Sequence, residues 1–132
     1  MAELGDGLLG AYGVASILED PDIRAAFNAV VLAANDPVAA WGGVKLLRER
    51  FGIEPVAVTG PATDYLAGTQ IIEEQLGIPA INARKDAARL AAVVRKALQA
   101  PAQDPHPLTP SPATPPALPG RGGSSEEKGV VR

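Results

Sequence analysis

The chain has 132 residues and a formal net charge of −3 at pH 7, and this length allows one folded domain at most. Lys and Arg form no basic stripe, so nothing indicates a nucleic-acid partner, and the longest apolar runs are too short to cross a membrane. The absence of cysteine excludes disulfides, thiol nucleophiles and cysteine-ligated metals. Because the chain also lacks the basic start of a signal peptide, we expect a cytoplasmic protein with no metal site and no identifiable cofactor.

Residues 1–27 form a predicted N-terminal helical segment. Apolar residues over 7–19 recur at roughly helical spacing, although three glycines weaken that helix. Asp20-Pro21 is typical of an N-cap followed by proline at the first helical position, and it predicts a short helix to about Phe27.

Residues 28–100 repeat a unit in which an apolar strand is followed by a polar loop and a helix. The predicted strands are residues 29–34, 55–59 and 78–82, followed by helix starts at Asp36, Asp64 and Asp86. Strands joined by helices of this length pair in parallel through right-handed crossovers. The expected fold is α/β, three-layer and Rossmann-like, with helices on both faces of a three-stranded, mainly parallel sheet.

Apolar spacing predicts which faces of these helices are buried. In the helix that ends near Arg50, the core side chains should be Val38, Trp41, Val44 and Leu47. The next helix should be covered on more than one side, because no single stripe contains Leu66, Ile71, Ile72 and Leu76. The last helix has a clean inner stripe formed by Leu90, Val93, Val94 and Leu98.

Residues 101–132 contain eight of the thirteen prolines and the single histidine, His106. Proline donates no backbone hydrogen bond, and large apolar residues are too few here to offset the ordering entropy. The sequence therefore predicts a disordered Pro-rich tail after a small α/β domain of residues 1–100. The tail also resembles translated GC-rich intergenic sequence, which would place the natural end of the reading frame near Ala100.

The loops after parallel strands open on one edge of the sheet, where α/β folds bind ligands. This edge collects the candidate ligand contacts, which are Asn35, Asp36, Thr59, Gly60, Thr63, Asp64, Asn82 and Arg84. Gly60 would let backbone approach a phosphate or carboxylate beside a helix N-terminus, and Arg84 could clamp the same anion through two hydrogen bonds. A simpler explanation makes each aspartate a helix cap and Arg84 a solvated partner of Asp64 or Asp86.

Trp41 is followed by Gly42-Gly43, which leaves space beside the indole. The ring is expected either to pack in the core against a close backbone or to form one wall of a pocket. Core packing is the commoner role of an aromatic ring.

Residues 33–60, AANDPVAAWGGVKLLRERFGIEPVAVTG, are similar to a stretch of the sugar-binding modules of periplasmic binding proteins and related repressors. In that family a strand ends in Asn-Asp and the next strand ends in Val-x-Gly. The resemblance implies that the family's ligand-contacting aspartate falls on Asp36. The family's aspartate after the second strand is replaced here by Gly60-Pro61.

These features favour a small ligand-binding or accessory domain that holds a small anionic or polar metabolite at the carboxyl edge of the sheet. One alternative is a small enzyme that uses Asp36 or Asp64 as general base on a phosphorylated or carboxylated metabolite. Another alternative is a subunit or fragment of a larger enzyme complex. Three parallel strands leave two open edges, so we also expect a homo-oligomer or a larger partner subunit.

Overall fold

The computed structural model describes residues 1–11 and 13–101, and the predicted tail from residue 102 onward lies outside the described residues. The chain is mixed α/β, as predicted. Its elements in chain order are α1 (Val14–Glu19), α2 (Pro21–Ala25), β1 (Val31–Ala33), α3 (Pro37–Phe51), β2 (Ala57–Thr59), a 3₁₀ turn (Pro61–Thr63), α4 (Leu66–Leu76) and α5 (Ala87–Gln99).

The sheet consists of two parallel strands, β1 and β2, with Val31 opposite Ala57. The predicted third strand, residues 78–82, is reduced to one parallel bridge between Val58 and Ala80, so the three-stranded sheet is not confirmed. Its neighbouring residues limit the pairing. Pro79 has no N–H to donate toward β2, so the pairing is limited to two hydrogen bonds of 2.9 Å, from the Val58 N–H to the Pro79 carbonyl and from the Ile81 N–H to the Val58 carbonyl.

Three of the four predicted aspartate caps are confirmed. Asp20, Asp36 and Asp86 each accept a hydrogen bond from a backbone N–H in the first turn of the following helix. The prediction for Asp64 is wrong, because the N-cap of α4 is Tyr65. Gly60-Pro61 starts a 3₁₀ turn at this point, and that turn moves the start of α4 past Asp64.

The core lies between the sheet and helices α3 and α4. Val44 of α3 and Ile72 of α4 pack in one buried cluster with Val58 of β2 and Ala80. A second cluster joins α1 to the carboxyl-terminal half of α3, where Val14, Leu18, Leu47, Phe51 and Ile53 meet. The α1 helix is therefore attached to the domain through α3.

The predicted inner face of α3 is correct at Val44 and Leu47 and wrong at Val38 and Trp41. Val38 is 77% exposed and Trp41 is 49% exposed, while the small Ala40 is buried. A Cβ at Gly43 would lie 2.8 Å from Leu32 Cδ2, so α3 sits very close to β1 at this glycine. This contact turns α3 so that Val38 and Trp41 point away from the sheet.

Helices α4 and α5 bury less apolar surface than their sequences predict. In α4, Ile72 and Leu76 are buried, but Leu66 and Ile71 are exposed, so this helix is not covered on a second side by the described residues. In α5 no residue is fully buried, and Leu98 is 55% exposed. No helix within residues 1–11 and 13–101 has the length and hydropathy that a membrane crossing needs.

Candidate functional site

The loop after β2 and the loop before α5 are tied together by side chains predicted to contact a ligand. Asn82 Nδ2 donates to Asp64 Oδ1 at 2.7 Å, and Asn82 Oδ1 accepts from the backbone N–H of Arg84 at 3.0 Å. The Ala83 N–H donates to Thr59 Oγ1 at 3.1 Å. The structure therefore brings Thr59, Asp64 and Asn82 together, with each side chain bonded within the edge itself.

Gly60 and Thr63 close the loop onto the end of β1. Gly60 has φ 93° and ψ −171°, a conformation essentially restricted to glycine. A Cβ there would lie 2.7 Å from the backbone oxygen of Ala34, and the Ala62 N–H donates to the same oxygen at 3.0 Å. The buried hydroxyl of Thr63 donates to the Gly60 carbonyl at 2.7 Å. This packing accounts for the glycine without any ligand.

Asn35, Asp36 and Arg84 lie exposed at the same edge. The Asp36 carboxylate accepts from the Ala39 N–H at 2.8 Å, which is the cap geometry. Among the described residues, neither Asn35 nor Asp36 has a side-chain hydrogen bond to Thr59, Asp64 or Asn82. The Arg84 guanidinium has no carboxylate within 4.0 Å in the same part of the chain, so its predicted pairing with Asp64 or Asp86 is not formed.

The chemistry available at this edge is limited by its own hydrogen bonds. Within the described residues, no buried side-chain nitrogen or oxygen lacks a partner, and no group of three or more His, Asp or Glu residues is placed to hold a metal ion. Asp36 and Asp64 are both hydrogen-bonded, as a cap and to Asn82. Two cationic side chains lie exposed at this edge, Arg84 and Lys85, and the Lys85 ammonium donates to the backbone carbonyl of Asp64.

A second candidate surface lies between α3 and α4, on the side facing away from the sheet. This α3–α4 groove has a volume of about 220 Å³ and is lined by Pro37, Val38, Trp41, Ile71, Ile72, Gln75 and Leu76. It continues into a more polar hollow of about 250 Å³, where Lys45 lies 5.0 Å from the centroid of the Trp41 ring and 3.5 Å from Glu49. Helical periodicity favoured Trp41 as a core residue, whereas its alternative role as one wall of a pocket agrees with the structure. Neither Gly42 nor Gly43 lines the groove, and Gly43 packs against Leu32 instead.

Two further residues hold α4 in place and were not found from the sequence. A Cβ at Gly68 would lie 2.4 Å from the carbonyl oxygen of Ala62, so this glycine allows the first turn of α4 to meet the loop. Arg48 of α3 donates to both carboxylate oxygens of Glu54, at 2.7 and 2.6 Å, and to the carbonyl of Leu76 at 2.9 Å. The hydrogen bond to Glu54 raises the pKa of Arg48 above its ordinary value, against the opposing effect of burial.

Comparison with protein-family models, curated proteins and solved structures found no match to this chain.

Proposed function

We propose that this chain is an accessory domain whose α3–α4 groove binds an amphipathic helix of a partner protein. The observation that carries the proposal is the outward position of Val38 and Trp41, two large apolar side chains exposed beside an apolar groove. Large apolar groups grouped on a surface mark interaction sites, whereas isolated ones do not. Trp is also enriched among the residues that dominate binding energy at interfaces.

The shape of the groove supports a helix as the partner. A volume of about 220 Å³ is below the range of typical small-molecule pockets and is sufficient for one large apolar side chain. Two packed helices form the walls, and an amphipathic helix places side chains into such a groove at intervals of three or four residues. The neighbouring Lys45 and Glu49 offer both signs of charge to the polar flank of the incoming helix.

The test uses amphipathic helical peptides selected from a display library against the full chain. Trp41 is the only tryptophan, so its fluorescence should shift to the blue when an apolar side chain covers the ring. Val38→Glu should weaken peptide binding by about tenfold or more, because a carboxylate would enter the apolar contact. Glu is well tolerated in the first turn of a helix, so the fold should be retained.

Leu98→Glu is the matched control, since it places the same carboxylate on an exposed apolar position of α5. This variant should bind the peptides as the wild type does. Peptides that bind without shifting the Trp41 emission, or that bind Val38→Glu unchanged, would contradict the proposal.

A second candidate is the binding of a small anionic metabolite at the carboxyl edge of the sheet. The observation that favours it is Arg84, an exposed guanidinium with no carboxylate within 4.0 Å among the described residues. Asn35, Asp36, Thr59, Gly60, Thr63, Asp64 and Asn82 complete the proposed contacts. The Asp64 carboxylate opposes it, because it lies in the same network and repels an anion.

Thermal shifts with inorganic phosphate and with citrate test the second candidate. Either anion should raise the melting temperature of the wild type, and Arg84→Gln should abolish the increase. Arg95→Gln, which removes an exposed cation from α5, is the control for general salt effects. Equal shifts in all three proteins would exclude Arg84 as an anion contact.

We also propose that the domain has three layers and that the protein is cytoplasmic. A three-layer, Rossmann-like arrangement is supported by the parallel bridge to Ala80 and by the contact of α5 with β2. A cytoplasmic location is supported by the lack of cysteine and remains part of this proposal.

A further inference from the structure

Strand β1 has an outer edge with no pairing partner among the described residues. The Val30 carbonyl accepts from the Val56 N–H at 2.8 Å, and the Ala34 N–H donates to the Thr59 carbonyl at 2.9 Å. These backbone groups of Val30 and Ala34 therefore point toward β2. Backbone groups alternate in direction along a strand. The N–H and C=O groups of Val31 and Ala33 therefore point away from β2, to the open edge.

Apart from the short length of β1, which has three residues, the described residues give this edge none of the features that usually prevent strands from pairing with other chains. Residues 29–34 read Ala-Val-Val-Leu-Ala-Ala, with no charge and no proline. Natural proteins protect edge strands by short length, lysines, prolines, bulges or a covering element. The side chains along β1 are instead entirely apolar, and Val31 and Ala33 are exposed.

The opposite edge of the sheet, formed by the segment around Ala80, is protected by a side chain. There, the N–H of Ala80 is occupied by the Glu73 carboxylate at 3.1 Å, and Arg89 of α5 lies 3.6 Å from that carboxylate. A side chain thus occupies the donor that another strand would need. Within residues 1–11 and 13–101, one edge of the sheet is thus closed and the β1 edge is open.

The sheet face turned away from α3 is also uncovered at β1. Ala57 and Ile81 lie on this face and are 0% and 1% exposed, and α5 is the helix that contacts β2. Val31, the register partner of Ala57, is 36% exposed, and Ala33 is exposed as well. The apolar surface therefore extends from the open edge across the β1 part of the sheet.

We propose that β1 pairs in antiparallel orientation with β1 of a second copy of this chain, with Leu32 at the two-fold axis. The outward groups of Val31 would then bond those of Ala33 in the other copy, and the reverse pair would form by symmetry. A two-fold interface needs a surface that is complementary to itself, and an uncharged backbone edge satisfies this requirement. Cross-strand contacts would cover Val31 and Ala33 in both copies.

A second copy explains the observations better than a strand from another protein. The β1 edge carries no charged side chain that would select a different partner or repel an identical one. The Pro-rich residues 101–132 are poor donors for a strand ladder, so this segment is not the expected occupant. The interface is separate from the α3–α4 groove, and the dimer can form whether or not that groove binds a helix.

The test is sedimentation velocity of the full chain from 1 to about 200 μM, which should show a dimer that dissociates on dilution. Ala33→Pro removes one outward N–H and places the proline ring on the open edge, while the bonds from β1 to β2 are kept. This variant should be monomeric, with its dimer affinity reduced by at least about tenfold. Ala33→Thr, which keeps the N–H, is the matched control and should dimerise as the wild type does.

Hydrogen exchange on the wild type gives a second readout that needs no variant. The N–H groups of Val31 and Ala33 should become protected as concentration rises, since their acceptors lie in the second copy. A wild type that stays monomeric with rapid exchange at both amides would overturn the proposal. The proposal would also be overturned if Ala33→Pro stayed folded and still dimerised. If Val38→Glu were then monomeric, the dimer interface would lie at the α3–α4 groove instead.

Discussion

At the scale of single residues, glycines decide how closely the elements of this domain approach one another. Gly43 lets α3 lie on Leu32, Gly68 lets α4 meet the carbonyl of Ala62, and Gly60 accommodates the carbonyl of Ala34. The sequence shows that glycines occur at these places. It cannot show which backbone or side chain will occupy the space where a Cβ would stand, because those atoms come from distant positions in the chain.

Gly60→Ala should therefore destabilise the protein by about 2–4 kcal/mol. The change forces an alanine into a glycine-only conformation and places its Cβ 2.7 Å from a backbone oxygen that cannot move freely. Urea denaturation followed by circular dichroism measures the loss.

Gly77→Ala is the control for Gly60→Ala, because Gly77 also has positive φ, at 69°, but no atom within 4 Å of the added Cβ. It should cost only about 1–2 kcal/mol, the penalty of the left-handed conformation. Equal losses of unfolding free energy in the two variants would show that the close contact between residue 60 and the Ala34 carbonyl does not affect stability.

At the scale of elements, local signals predicted helix positions well and helix orientation poorly. Pro37 and the Asp36 cap placed the start of α3 correctly, since both act within a single turn. The rotation of α3 depends on the contact between Gly43 and Leu32, and periodicity alone therefore favoured Trp41 over Ala40 as a core residue. The third strand is limited by Pro79, which has no N–H to donate toward β2, so one bridge forms between Val58 and Ala80.

Arg48 of α3 is bonded to the loop residue Glu54 and to the end of α4, and its replacement should loosen both contacts together. Arg48→Met removes two hydrogen bonds to Glu54 and one to the carbonyl of Leu76 at the end of α4. Because these side chains are more than one third exposed, solvent screening limits the expected loss to about 1 kcal/mol of unfolding free energy.

Lys45→Met is the control for the Arg48 prediction, since it removes an exposed i, i+4 ion pair from the same helix. Its effect in urea unfolding should stay within about 0.5 kcal/mol. Equal losses of unfolding free energy in both variants would show that the hydrogen bond from Arg48 to the Leu76 carbonyl stabilises the protein no more than an exposed ion pair does.

At the scale of the whole molecule, the predicted ligand contacts at the carboxyl edge of the sheet are only partly brought together. Thr59, Asp64 and Asn82 do meet at the carboxyl edge, because the order of strands and helices determines which loops are neighbours. Their mutual hydrogen bonds could not be predicted, since they depend on side-chain positions across two loops. A pocket beside Trp41 was one of two expected alternatives, but its position between α3 and α4 could not be predicted, because it follows from the rotation of α3.

A chain that ends at Ala100 should keep its melting temperature within about 4 °C of the full-length value, because the removed segment is rich in proline and poor in large apolar residues. Differential scanning calorimetry measures the difference. A chain that ends at Asp86 is the contrasting variant, since it loses α5 and should uncover Ala57 and Ile81. This shorter chain should fail to show a cooperative transition. A large loss from the first truncation would show that residues after Ala100 stabilise the domain.

The parallel register of β1 also affects how the protein is made on the ribosome. Val31 pairs with Ala57, so the whole of α3 must be synthesised before the partner of β1 exists. At about 5–20 residues per second, the apolar run 29–34 leaves the exit tunnel a second or more ahead of β2. During that interval the nascent chain presents an uncharged, proline-free apolar segment, which chaperones at the ribosome or neighbouring nascent chains can bind. Synonymous codons that slow elongation across α3 should therefore lower the yield of folded protein without changing a single residue.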